Sequence, residues 1–165
     1  MSGKSSVGKL VAEELSWRHV DLDREIEKNY QEETKNSLTC REIYSTESEE
    51  SFRHREKEVL AHLAGVKNVI ISLGGGTLNH PDSRKIVRKM GVLVYLKEDP
   101  EVLLERILSK GPKGLPAYLN SDDPRRVFLA LAHKRQPIYE REAGRIIEVN
   151  KRHLKAVVKE FLDGL

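Results

Sequence analysis

Gly3-Lys4-Ser5-Ser6 heads a segment in which Val7, Leu10, Val11 and Leu15 recur at helical spacing. A glycine lets backbone N–H groups approach phosphate oxygens, and a helix start favours negative charge. Lys4 would reach the outer phosphates of a nucleotide, and the Ser5 hydroxyl would ligate Mg2+. This is the second half of the phosphate-binding loop Gly-x4-Gly-Lys-Ser/Thr, which normally follows a buried strand. Neither the first glycine nor that strand stands before Gly3. A plain lysine in a helix's first turn is the competing account of the same residues.

Four further groups have chemistry in them. Asp21 and Asp23 follow a short apolar stretch, His19-Val20, where strand ends in open α/β sheets bind ligands. Alternation along a strand would put both carboxylates on one side, near a phosphate-bound Mg2+ or an alcohol proton. Alternatively, Asp23 is the N-cap of a helix over 24–30. Gly74, Gly75 and Gly76 follow an apolar run, and three glycines suit a ligand that touches the backbone itself. Arg53 and Glu56 share a helix face, so the acid could steady the guanidinium for bidentate grip of a carboxylate. A solvated surface pair is the account that spacing alone favours. Arg135 precedes Pro137, which is expected to break or kink its helix and turn the cation toward a cleft, unless the charge lies on the surface.

The elements that must position these groups alternate. Apolar runs at 69–73, 92–96 and 146–149 suit strands covered on both faces. Phe52, Val59, Leu60 and Leu63 form one helical stripe, and Leu154, Val157, Val158, Phe161 and Leu162 another. Asp99-Pro100 and Asp123-Pro124 read as N-cap and first helical residue. The expected architecture is a single α/β domain over 1–165, a three-layer parallel sheet flanked by helices. The Gly/Pro-rich stretch 110–122 reads as a lid, or as a surface loop with no role.

Composition narrows the classes. The 29 basic and 26 acidic residues give a net charge of +3, too mixed and too small for a polyanion stripe, and 5% aromatic content leaves few stacking platforms. Nucleic acid is therefore not an expected partner. Apolar runs fall far short of the ~20 residues of a membrane span, and no signal-peptide pattern opens the chain. A single cysteine, Cys40, excludes an internal disulfide, and the six histidines show no zinc spacing. A cytoplasmic protein acting on small molecules is expected.

Taken in order, Gly-Lys-Ser, Asp-x-Asp, Phe-Arg-x-x-Glu, Gly-Gly-Gly, a Gly/Pro-rich stretch and Lys-Arg-x-Pro-x-Tyr resemble the shikimate kinases, from Gly3 to about Arg152. The resemblance implies a nucleoside-monophosphate-kinase-like P-loop fold, a monomer, and transfer of the ATP γ-phosphoryl group to the 3-hydroxyl of shikimate, with Mg2+. It implies that Gly3, Lys4, Ser5 and Ser6 bind the nucleotide, and that Ser5 and Asp21 hold the metal. Asp23 would grip the shikimate hydroxyls and take the proton. Arg53 and Arg135 would hold the carboxylate, Glu56 would position the arginine, and Gly74, Gly75 and Gly76 would meet the substrate. Arg106 and the stretch Asn150-Lys151-Arg152 fall where the family cradles adenine.

Two departures from the family pattern carry expectations. The lid arginine is absent where Leu115-Pro116 stands, so slower turnover or a different lid geometry is expected, with Lys110 or Lys113 as the candidate substitutes. Upstream in-frame codons are expected to encode the strand and glycine before Met1. The competing functions are another small-molecule P-loop kinase, such as one acting on gluconate, and a non-catalytic relative that binds shikimate.

Overall fold

The computed structural model describes residues 3–109, 111, 119 and 121–165. Helix α1 (Lys4–Glu14) is followed by β1 (Arg18–Asp21), α2 (Leu22–Thr34), α3 (Cys40–Thr46), α4 (Glu49–Leu63) and β2 (Val69–Ser72). A 3-10 turn (Thr77–Asn79), α5 (Pro81–Met90), β3 (Val94–Lys97), α6 (Pro100–Leu108), α7 (Pro124–Glu142), β4 (Arg145–Glu148) and α8 (Leu154–Leu162) complete the order. The chain divides into two compact units, one over Gly8–Gly91 and one over 3–7 with Val92–Leu165.

The 8–91 unit is built on one parallel pair, β1 on β2, with Val20 beside Ile71 and Asp21 beside Ser72. Parallel partners need a long crossover, supplied by α2, α3 and α4. Leu22, Ile26, Ile43 and Leu60 are sealed from water, each contributing on the order of 2 kcal/mol. Local chemistry sets the helix starts. Thr39 and Glu42 form a reciprocal capping box at α3, and Ser48 caps α4 through the Ser51 amide. Helix α3 has no apolar stripe long enough to announce itself in the sequence.

The 92–165 unit pairs β3 with β4, also parallel, with Leu96 beside Ile147. Leu104 and Ile107 of α6 pack with Leu119 and with Phe128 of α7. Asp99 and Asp123 cap α6 and α7 with proline in the first turn, as their order in the sequence predicts. The strands expected at 69–73, 92–96 and 146–149 lie at Val69–Ser72, Val94–Lys97 and Arg145–Glu148.

Three expectations are corrected. Asp23 is not the cap of α2; Asp21 is, accepting a hydrogen bond from the Asp23 amide, so the helix starts at Leu22. The two aspartates consequently do not alternate along a strand: one ends β1 and the other sits in the first helical turn. Pro137 does not end its helix, for α7 runs through it to Glu142. The lid positions Lys110, Lys113 and Leu115-Pro116 lie outside the described residues.

Candidate active site

In the 8–91 unit the groups converge on the glycine triplet. The cap bond from Asp21 fixes the first turn of α2, and Asp23 then presents its carboxylate to Gly74. A Cβ on Gly74 would lie 2.8 Å from Asp23 Oδ1, 3.2 Å from Thr77 Oγ1 and 3.8 Å from Glu56 Oε1. A Cβ on Gly76 would lie 3.1 Å from one terminal nitrogen of Arg53 and 3.3 Å from the other. A methyl group would thus displace the Asp23 carboxylate at Gly74 and press on the Arg53 guanidinium at Gly76. Real Cβ atoms do not tolerate contacts below about 3 Å without displacement.

Arg53 is held on several sides. Its Nη1 donates to Glu56 Oε2 at 3.0 Å. Its guanidinium carbon lies 5.2 Å from the Phe52 ring centre and 5.6 Å from that of Tyr44, and the two rings meet edge to face. Its Nε is buried without a hydrogen-bond partner in the structure. The pair is no solvated surface bridge, as spacing alone would favour, since the Glu56 side chain is 3% exposed and that of Arg53 19%. Thr77, fully buried, donates its hydroxyl proton to Glu56 Oε1 at 2.7 Å. The result is a cationic fork, a carboxylate acceptor and bare backbone within one unit, which suits a small anionic polyol.

Two neighbours brace this arrangement. Cys40 Sγ donates to the Asp23 carbonyl at 3.1 Å, and the Cys40 amide donates to Glu27 Oε1. Burial first, then the nearby Asp23 and Glu27 charges, push the thiol far above its ordinary range. Gly8 of α1 lies where a Cβ would meet Ser72 Oγ at 2.9 Å and His19 Nε2 at 3.1 Å. His19 Nε2 and Ser72 Oγ are themselves hydrogen-bonded at 3.0 Å. Burial is the largest influence on His19 and lowers its pKa, against Asp21, which raises it.

The 92–165 unit, which includes residues 3–7, carries cations. Gly3 adopts a left-handed φ of +81° and hands its carbonyl to the Val7 amide, starting α1 at Lys4. Lys4, Ser5 and Ser6 thus occupy the first turn, the positive end of the helix dipole. Arg135 sits half-buried on α7. Arg106 Nη2 donates to Glu98 Oε2 at 2.9 Å, and the Lys151 amide reaches the same oxygen at 3.3 Å. Arg152 turns to α8, bonding the Glu160 carboxylate and the carbonyls of Glu148 and Ala156.

The family model for shikimate kinase matches residues 1–165. The chain belongs to the shikimate kinase family. A shikimate kinase of Symbiobacterium thermophilum is 36% identical over 99% of this chain and 90% of its own. Among solved structures, the shikimate kinase of Acinetobacter baumannii in complex with shikimate superposes with a TM-score of 0.87 at 29% identity, covering 98% of this chain and 86% of that one. The enzyme of Bacteroides thetaiotaomicron gives 0.83 at 25% identity, covering 98% and 91%. The fold is therefore the P-loop α/β kinase type, and the family reaction is ATP-dependent phosphorylation of a shikimate hydroxyl in aromatic amino-acid synthesis.

Residues that no motif announced pack against those that motifs did. Thr77 stands immediately after the glycine triplet, and Glu98 follows the end of β3. The general rule that ligands gather at carboxyl ends of parallel strands points to both places. Cys40 had no such pointer, because its contact with Asp23 arises from the packing of α3. Among the described residues no group of His, Cys, Asp and Glu forms a metal cluster, and no helix is long and apolar enough to cross a membrane.

Proposed function

We propose that this chain phosphorylates the 3-hydroxyl of shikimate with Asp23 as the proton acceptor and Arg53 as the principal grip on the substrate carboxylate. The observation that carries this reading is the convergence of Asp23, Arg53, Glu56 and Thr77 on the bare backbone of Gly74 and Gly76. The Arg53 fork, steadied by Glu56, would orient the substrate. Asp23 would then withdraw the hydroxyl proton as the oxygen forms its bond to the γ-phosphorus and the bond to the ADP oxygen breaks. Arg135 is read as a second cation for the carboxylate, and Gly75 as a backbone contact.

Gly3, Lys4, Ser5 and Ser6 are read as the phosphate cradle. The Ser5 hydroxyl and the Asp21 carboxylate are oxygen donors of the kind Mg2+ prefers, and few in number, as suits an ion that keeps several waters. Bound there, Mg2+ would neutralise charge on the transferring phosphates. Lys4 would draw the same phosphates toward the start of α1. Arg106, with the 150–152 turn, is read as the purine cradle, Arg152 fixing that turn to α8. The single cysteine supports a cytoplasmic protein, the small, mixed net charge supports one working on small molecules without nucleic acid, and membership of the family supports a monomer.

The test is a coupled ADP-release assay with ATP, Mg2+ and either shikimate or gluconate. Turnover with shikimate alone, and its loss in Asp23→Asn, is the expected result. Turnover with gluconate would overturn the substrate assignment. Calorimetric binding of shikimate with no turnover would overturn the catalytic one.

A further inference from the structure

Glu98 is a buried acid that the reaction described above does not use. Its side chain is 1% exposed, just past the end of β3, while its partner Arg106 is 39% exposed. The carboxylate collects three donors. Oε1 accepts from the Asp99 amide at 3.1 Å, and Oε2 from Arg106 at 2.9 Å and from the Lys151 amide at 3.3 Å. Burying a carboxylate is costly unless it is fully paired, and an apolar side chain would pack in such a place more cheaply. What the charge supplies is a link between two segments distant in sequence. One is α6, carrying the guanidinium; the other is the turn after β4. In that turn Asn150 and Lys151 both hold left-handed φ angles, +42° and +60°. Consecutive left-handed residues other than glycine are strained and persist only where surrounding contacts hold them. The bond from the Lys151 amide to Glu98 is such a contact.

We propose that Glu98 is a positioning residue for the nucleotide. It holds one edge of the Arg106 guanidinium and the backbone of the 150–152 turn in a single geometry, leaving the remaining guanidinium surface for a purine. The proposal rests on the reading of Arg106 and that turn as the purine cradle. Glu98→Gln is the informative variant, because it removes the charge and turns one of the two acceptor oxygens into a donor, whereas both positions face donors: the Asp99 amide at one, Arg106 and the Lys151 amide at the other.

The experiment is calorimetric titration of the whole chain with Mg2+ and a non-hydrolysable ATP analogue, and separately with shikimate. Loss of hydrogen bonds to a charged group predicts nucleotide binding weaker by about tenfold or more in E98Q, with shikimate binding within about twofold of the parent. Glu98→Asp, which keeps the charge but shortens the reach, should fall between parent and E98Q, and it decides the matter if E98Q does not fold. Unchanged nucleotide affinity in the folded variant overturns the proposal. So does an equal loss of shikimate affinity, which would mark general damage. Arg106→Ala separates the two levels. Weakened nucleotide binding in R106A with none in E98Q leaves the cradle standing and removes Glu98 from it. No change in R106A removes the cradle itself and Glu98's role with it.

Discussion

Thr77 Oγ1 donates a 2.7 Å hydrogen bond to Glu56 Oε1, and both side chains are buried. The second oxygen of Glu56 holds Arg53. A neutral hydroxyl therefore fixes the rotation of an acid that in turn fixes Arg53, the cation proposed to grip the substrate. Thr77→Val keeps the shape and removes the donor. A hydrogen bond to a charged group is worth about 1.5–3 kcal/mol, so the KM for shikimate should rise by about tenfold. The KM for ATP should stay, and Thr77→Ser should recover most of the loss. Steady-state kinetics on the three forms check it; an unchanged shikimate KM in T77V removes Thr77 from the positioning chain.

The two outer glycines of the triplet should fail differently. A methyl group on Gly74 strikes Asp23 Oδ1 at 2.8 Å, whereas one on Gly76 presses on the Arg53 guanidinium. Gly74→Ala should therefore depress kcat, approaching the roughly 10²–10⁴-fold loss expected when a general base is removed. Gly76→Ala should mainly raise the KM for shikimate. Identical kinetic profiles for the two variants would refute this division of labour.

His19 predicts an acid-side loss of stability. Its pKa in the folded protein lies below the free value of 6.5, so the unfolded chain binds the proton more readily. The contribution of the neutral ring is complete above pH 6.5 and is lost as the pH falls toward the folded value. His19→Asn, uncharged at every pH, should flatten the decline of Tm between about pH 6.5 and 5. Parallel Tm curves for parent and variant over that window would contradict it.

Gly8 should resist substitution although alanine is the better helix former by about 1 kcal/mol. A Cβ there would lie 2.9 Å from Ser72 Oγ and 3.1 Å from His19 Nε2. Gly8→Ala should lower Tm, and the double variant Gly8→Ala with Ser72→Gly should recover part of the loss. A Tm raised by Gly8→Ala alone would mean that the helix shifts at no cost.

Cys40 should be inert in the native protein, because burial and its acidic neighbours keep the thiol protonated. Alkylation at pH 8 should be slow when folded and fast in denaturant. Rapid native labelling would show that α3 opens away from Asp23.

Much of this was legible from residue order. Proline after aspartate marked the starts of α6 and α7, and apolar runs located β2, β3 and β4 to within two residues. The glycine triplet could be singled out because three glycines are unusual after a strand, whereas Asp23 and Arg53 stood out only through the order of the shikimate kinase motifs. What spacing could not settle was whether Arg53 and Glu56 face water. An i,i+3 pair looks the same on a solvated face and on a buried one, and only the packing of α3 and the turn at Thr77 against α4 decides. The start of α2 was misplaced by two residues because Asp21 and Asp23 are both good caps, and β1 happened to end at the first. Pro137 does not break its helix because a proline removes one helical hydrogen bond, and the 19-residue α7 keeps enough others to continue.

Asp23, Arg53, Glu56, the glycine triplet and Thr77 all fall between Gly8 and Gly91, in one uninterrupted stretch. The residues read as serving the nucleotide are encoded on either side of it, except Asp21, read as a holder of Mg2+, which lies within it. On the proposed reading, recognition of the alcohol is thus written in the gene as a cassette, with Arg135 its one outlying part. On that reading, a crossover at the two glycines that bound the cassette would transplant acceptor preference between related kinases, carrying Asp21 with it and leaving the rest of the donor apparatus as inherited.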